Sequence, residues 1–324
     1  MTGQPGRNPY LFVVGCPRSG TTLLRRMLDA HPELAITPET HWIPEWLEKA
    51  RGVSPHGNVT PELVRSLLES ARFKKLKVRD ADVWELLEAG EPVSYARLVA
   101  HVYELFGSRR GKPLVGDKTP GYTRAIPTLH HLFPWARFVH LIRDGRDVCL
   151  SATSWHQVER LERRFPTWRE DPIPTAALWW ELHVRLARDA GERLGAHLYN
   201  EMSYEELVAD PSERSTALCS FLGLGFSEAM PRFHEGHTRR DPTLGSNKQW
   251  LPATPGLRDW RAQMPIHDVL LFEAVAGGLL DELGYPRVFR SISRGVLERA
   301  AGIREAFTQD VRARGWHLPE RWAA

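Results

Sequence analysis

The chain has 324 residues, 42% of them hydrophobic, enough to bury a large core in one α/β domain or one domain with an added lobe. Its 43 basic and 40 acidic residues leave a formal charge of +3 with the signs interspersed, which argues against nucleic acid as a partner. Three cysteines without C-x-x-C or metal-ligand spacing exclude a disulfide scaffold and a zinc site, so Cys16, Cys149 and Cys219 are expected as buried thiols. The N-terminus lacks an apolar leader core and no apolar run reaches roughly 18 residues, so a cytoplasmic protein with no membrane partner is expected.

The first predicted strand, Leu11–Val14, breaks into Gly15-x-x-x-x-Gly20-Thr21-Thr22 and opens a helix over Thr21–Ala30. That spacing belongs to loops whose backbone N–H groups and helix N-terminus face a phosphate. A nucleotide triphosphatase loop ends in Gly-Lys-Ser/Thr, with the Lys on the β/γ-phosphates. Here Thr21 stands at that Lys and the cation has moved inside the loop, to Arg18. The loop is therefore suited to a phosphate-like group other than an ATP β/γ pair with its metal.

A second strand, Leu34–Thr37, leads into TPETHW, where Glu39 and His41 are two candidate proton acceptors. Helices over Pro61–Phe73 and Tyr95–Phe106 precede a short strand, Leu114–Gly116, which is followed by Lys118. Lys118 reads either as a site cation or as a structural ion pair with Asp117 or Asp144. A helix over Thr123–Leu132 comes before the strand Phe138–Ile142. Arg143 follows that strand, Asp144 can cap the helix Asp144–Ser154, and Ser151 lies on it. A guanidinium that forks onto two phosphate oxygens, with a hydroxyl donating a third bond, suits this pair. Trp155–Asp171 is rich in Trp, Arg and Pro and reads as a loop or lid, before a helix over Thr175–Leu194. The last strand, His197–Met202, is followed by Tyr204 and a helix over Ser212–Leu222. A second loop or lid segment, Phe233–Pro265, contains Ser246, and a mixed-charge helix over Ile292–Arg312 could pack as an arm or mediate self-association. Strands alternating with helices predict a mostly parallel sheet flanked by helices, with ligands beyond the strands' carboxyl ends. The expected division is a single domain over 1–290 and a helical extension over 291–324.

PRSGTTLL after a strand resembles the 5′-phosphosulfate loop of the sulfotransferases that use 3′-phosphoadenosine-5′-phosphosulfate. The longer stretch PRSGTTLLRRMLDAHPELAITPETHWIP resembles the tyrosylprotein sulfotransferase branch and its bacterial relatives. The resemblance implies a P-loop nucleotide-kinase-like fold and metal-independent sulfuryl transfer from that donor to an acceptor hydroxyl. It assigns Arg18, Ser19, Gly20, Thr21 and Thr22 to the 5′-phosphosulfate, and Arg143 and Ser151 to the 3′-phosphate. Tyr204 falls to the adenosine, and Ser246 to the sulfate end of the donor. It also implies Glu39 as the base, with His41 second, and Lys118 with Arg18 as stabilisers of the leaving group. The branch carries a further Arg one turn beyond the serine, where this chain has Trp155; Arg146 is the substitute considered. A lysine of the Ser246 loop has Thr254 in its place, and the branch's Glu-Thr-Arg has become Glu39-Thr40-His41. Trp42 and Trp155 are candidate walls of an acceptor pocket, whereas Trp179 and Trp180 suit the core. The expected acceptor is a small hydroxyl compound, a phenol or a saccharide, with protein tyrosine suggested by the resemblance. A P-loop kinase and a catalytically idle nucleotide-binding relative are the alternatives.

Overall fold

Leu11, Phe12, Val13 and Val14 are all buried, as the continuous apolar run of a central parallel strand requires. In the computed structural model, which describes residues 8–48, 54, 57–88, 90–155, 158–235, 251–256 and 258–322, this run is β1. β2 (Leu34–Thr37), β3 (Leu114–Lys118), β4 (Arg137–Ile142) and β5 (Tyr199–Ser203) complete the described sheet. The strand order is β2-β3-β1-β4-β5 and every pairing is parallel. β3 runs two residues past its expected end, so Asp117 and Lys118 are its last two positions.

Alternation along the strands divides the core in two. Leu11 and Val13 pack with Leu24, Met27 and Leu218 beneath the helices Thr21–Asp29 and Pro211–Leu222. Phe12 and Val14 face the other way, toward Tyr103, Phe133 and Ala187, which belong to a layer that includes the helices Tyr95–Ser108 and Pro172–Leu194. β4 follows the same rule: Val139 and Leu141 join the first core and Phe138 the second.

A third cluster lies under the C-terminal helices, and it corrects the expectation of a loop or lid over 155–171. That stretch contains the helices Val158–Arg164 and Thr167–Glu170. Phe165 stacks on Phe307 with centroids 4.8 Å apart, and Trp168 meets Trp179 edge-on at 6.0 Å. Aromatic anchoring of this kind folds the segment into the core. The helix Ile266–Glu282 had no counterpart among the expected elements. The final helix, Arg294–Ala313, buries Ala300, Ile303, Phe307 and Val311, and Arg304 donates to Glu181 (2.6 Å) and to the Val275 carbonyl (2.9 Å). Its apolar stripe is thus covered by the chain itself. All three cysteines are buried free thiols. Among the described residues, no helix is long and apolar enough to cross a membrane.

Candidate active site

Each of the five strands delivers a candidate group at its carboxyl end: the Arg18 loop after β1, Glu39 after β2, Lys118 on β3, Arg143 after β4 and Tyr204 after β5. Parallel strands bring these ends to one edge of the sheet.

The loop after β1 is built around two glycines. Gly15 has φ 157°, and a Cβ there would lie 2.6 Å from the Leu141 carbonyl oxygen. Gly20 has φ 92°, and a Cβ would meet the Tyr204 ring at 2.4 Å, so only glycine lets the loop pass so close to that ring. No side chain caps the helix that Gly20 opens, which leaves its first N–H groups for an anion. Thr21 and Thr22 begin that helix, and the buried Ser19 hydroxyl has no partner among the described residues. Arg18 is held at φ 80°, a left-handed conformation disfavoured for a side chain of its size. Its Nε donates to Ser151 Oγ at 3.1 Å and its guanidinium lies 5.5 Å from the centre of the Trp155 ring. The residues expected for the two phosphates are therefore in direct contact.

Asp144 caps the next helix, Gly145–Thr153, by accepting from the Arg146 N–H, as its position suggested. Arg143 pairs with Asp147 at 3.2 Å, lies 4.2 Å from the centre of the Tyr204 ring, and gives its carbonyl to Trp180 Nε1 at 3.1 Å. Its Nε is buried without a partner among the described residues. Tyr204 thus touches both the glycine loop and the Arg143 guanidinium. Burial raises the Asp147 carboxyl above its usual range despite Arg143.

Arg146 cannot supplement this grip. It is fully buried and its guanidinium is consumed by Asp144 (2.8 Å), Glu273 (2.8 Å) and the Pro286 carbonyl (3.0 Å), over the face of Trp260. Sequence reasoning missed a different arginine, Arg258. Its Nη1 donates to the Leu150 carbonyl and to Ser154 Oγ, both at 3.1 Å, at the far end of the helix that carries Ser151.

Lys118 is almost wholly buried and donates to Glu39 Oε1 at 2.7 Å, which identifies its ion-pair partner as Glu39 and not Asp117 or Asp144. Thr22 Oγ1 lies 3.5 Å from the same ammonium. His41 Nε2 approaches the other Glu39 oxygen at 3.2 Å. Burial raises the Glu39 carboxyl, but the His41 hydrogen bond and the Lys118 charge outweigh it and bring the group down to about 2. Burial lowers the Lys118 ammonium, and the Glu39 charge opposes this only in part.

Thr40 and Asp117 fix this turn, a role that the sequence assigned to neither. Thr40 Oγ1 donates to Asp117 at 2.6 Å and lies 2.7 Å from the Tyr122 hydroxyl, while the Thr40 N–H donates to Thr119 Oγ1. Asp117 also accepts from Tyr103 at 2.5 Å and from Thr37 at 3.3 Å. With Thr40 pinned inward, its two neighbours Glu39 and His41 face the site, and His41 takes φ 58° to do so. Trp42 corrects another expectation. It is fully buried against Phe73 and belongs to the core, whereas Trp155 remains beside the site. Ser246 and its loop lie outside the described residues. Among the described residues, no group of His, Cys, Asp and Glu is arranged to hold a metal ion.

A family model described as the sulfotransferase family matches residues 9–228. Protein-tyrosine sulfotransferase 2 of Gallus gallus is 26% identical over 286 residues, covering 86% of this chain and 69% of that one. Nodulation protein NoeE of Sinorhizobium fredii is 27% identical over 315 residues, covering 91% of this chain and 71% of its own length. Among solved structures, the sulfotransferase domain from the Synechococcus PCC 7002 olefin synthase aligns over 98% of both chains, with TM-score 0.48 and 24% identity.

Proposed function

The chain belongs to the sulfotransferase family, and we propose that its donor is 3′-phosphoadenosine-5′-phosphosulfate, used in an in-line transfer to an acceptor hydroxyl without a metal. The 2.7 Å contact between Glu39 and Lys118, beside Thr22 of the phosphate loop, carries this reading. It joins a proton acceptor and a cation at the edge of an anion cradle.

The residues fit the donor. The uncapped helix start and the unpartnered Ser19 hydroxyl suit the 5′-phosphosulfate, and Arg143 Nε with Ser151 suits the 3′-phosphate. Tyr204, in contact with both the glycine loop and Arg143, suits the adenosine. In the transfer, Glu39 accepts the proton of the attacking hydroxyl as the new oxygen–sulfur bond forms. The bond from sulfur to the bridging oxygen breaks, and that oxygen keeps the electron pair on the departing phosphate. Lys118 and Arg18 meet the charge that builds there, the electrostatic work that a metal performs elsewhere. A carboxyl brought to about 2 is a weak base while His41 and Lys118 grip it. Any turn of the Lys118 ammonium toward the leaving oxygen frees Glu39 Oε1 for proton transfer, while His41 keeps the other oxygen.

For the acceptor, a small phenol or saccharide fits the Trp155 ring beside Arg18 and the imidazole that stands at position 41. Protein tyrosine is the second reading, favoured by the relative named for that activity. Incubation of the protein with sulfur-labelled donor and cell extract, followed by mass spectrometry of the products, tests the function. Sulfated products that persist in EDTA are expected. Phosphate transfer restored by Mg²⁺ would move the protein to the kinase class, and absence of turnover would leave an idle binder.

A further inference from the structure

The turn after β2 meets the end of β3 from two sides. Asp117 and Lys118 are consecutive residues there, so strand alternation sends their side chains to opposite faces of the sheet. Asp117 faces the core layer of Tyr103, and its Oδ2 accepts from the Tyr103 and Thr40 hydroxyls. Lys118 faces the helix that the phosphate loop opens, where it meets Thr22 and Glu39. Glu39 and Thr40, consecutive in the turn, thus grip consecutive residues of β3 on opposite faces.

The hydrogen bonds on the Asp117 face run in one direction. The Ile43 N–H can only donate, and it reaches the Tyr122 hydroxyl at 3.3 Å. The single Thr40 hydroxyl proton goes to Asp117 at 2.6 Å, so Tyr122 donates its own proton to Thr40 Oγ1 at 2.7 Å. Asp117 is fully buried and is held by hydroxyls, those of Thr40, Tyr103 and Thr37. Among the described residues no Lys, Arg or His lies within ion-pair distance of it, and its Oδ1 has no partner. Burial raises the Asp117 carboxyl, and the Thr40 and Tyr103 hydrogen bonds work against that rise. A carboxylate buried without a counter-ion adds little to stability, because no opposite charge offsets its desolvation. What it secures is the turn, including the uncommon left-handed φ of 58° at His41.

We propose that Thr40 and Asp117 are positioning residues for sulfuryl transfer: the turn straddles the end of β3, and the grip of Thr40 on Asp117 at one face sets Glu39 on Lys118 at the other. This inference rests on Glu39 as the base of the reaction proposed above. The charged groups that face Glu39 are Lys118 and His41, with Arg18 acting at longer range, and Arg25 adds a like charge near Lys118. Loosening the turn takes Glu39 away from Lys118, and its carboxyl then returns from about 2 toward the ordinary 4.5.

Carbon NMR titration of the glutamate carboxyls, with Glu39 identified by its loss in Glu39→Gln, reads this grip in the full chain and in Thr40→Val and Thr40→Ser. In the unmodified protein and in Thr40→Ser, which keeps the hydroxyl, Glu39 should stay ionised down to about pH 3. In Thr40→Val it should titrate near 4.5. The rate of label transfer from saturating sulfur-labelled donor into cell extract should fall about 10²-fold in Thr40→Val and stay within about threefold in Thr40→Ser. Asp117→Asn, which keeps an acceptor oxygen and loses the charge, should slow transfer about tenfold. Affinity for 3′-phosphoadenosine-5′-phosphate should stay within about a factor of two in all three variants. A Thr40→Val protein that loses melting temperature while Glu39 stays ionised, or while transfer keeps its rate, would make the grip merely structural and overturn the proposal. So would a Thr40→Ser protein as slow as Thr40→Val. If Asp117→Asn does not fold, the two Thr40 variants decide. An unmodified protein that transfers no label would refute the proposed reaction, a separate outcome, while the Glu39 titration still reads the grip.

Discussion

Glu39 lies between Lys118 and His41, each of which holds one of its two carboxylate oxygens. The His41 hydrogen bond and the Lys118 charge both lower its basicity in the free protein. Glu39→Gln should slow the chemical step by roughly 10²–10⁴-fold and leave affinity for 3′-phosphoadenosine-5′-phosphate nearly intact. His41→Ala should cost less and act mainly on acceptor binding. The sign of the pH dependence follows from the depressed carboxyl: it remains ionised until the pH falls toward about 2. The acidic limb of kcat/KM, which reports the free protein, should therefore lie well below the imidazole range. Single-turnover rates and that profile check the assignment together. A limb in the ordinary imidazole range, with chemistry surviving in Glu39→Gln, would transfer the role to His41.

Among the elements, β4 carries a titrating group away from the site. His140 is fully buried, with Nδ1 2.6 Å from the Tyr199 hydroxyl, which in turn donates to Glu201. Burial, assisted by the charge of Arg188, pulls its imidazole from 6.5 down to about 3. The folded protein keeps His140 neutral in that interval while the unfolded chain protonates it. Stability contributed by neutral His140 is thus lost as the pH falls from about 6.5 toward about 3, by up to ~1.4 kcal/mol per pH unit. His140→Gln should flatten the pH dependence of urea unfolding by about one proton in that window, and an unchanged slope would show that His140 titrates normally in the fold. The same strand illustrates what was readable beforehand. Its apolar run, the Arg143 that ends it and the Asp144 cap are local patterns, as are the glycines around Arg18. Partners fixed by distant chain segments were not readable. Arg146 resembled a spare phosphate ligand because Glu273, which neutralises it, lies 127 positions away. Arg258 went unnoticed because its partners Leu150 and Ser154 lie more than 100 positions earlier. The helix Ile266–Glu282 is apolar on nearly every side and so lacks the amphipathic stripe that announces a helix. Trp42 directly follows the turn that carries Glu39 and His41, but nothing in TPETHW tells that its ring turns back onto Phe73.

For the whole molecule, the C-terminal helix Arg294–Ala313 is tied to the rest of the fold by packing on the helices Pro172–Leu194 and Ile266–Glu282. Phe307 is fully buried between Phe165 and Trp322, so Phe307→Ala should destabilise the fold by about 3–5 kcal/mol, measured by denaturant unfolding. A loss below about 1 kcal/mol would mean that the helix detaches without cost. The clustered guanidiniums of Arg18, Arg143 and Arg258 act in the opposite direction. Their mutual repulsion weakens the empty protein, and a bound anion removes it. A nucleotide held at about 100 times its Kd adds about 2.7 kcal/mol to stability by mass action alone. Pulse proteolysis should show cleavage slowing as 3′-phosphoadenosine-5′-phosphate is added, with no such protection in Arg143→Ala. With the donor proposed above, the same coupling predicts a link between protein lifetime and nutrition: when sulfate runs short and the nucleotide pool drains, quality-control proteases should meet a larger unfolded fraction. The protein's abundance then declines along with its fuel, with no dedicated regulator required.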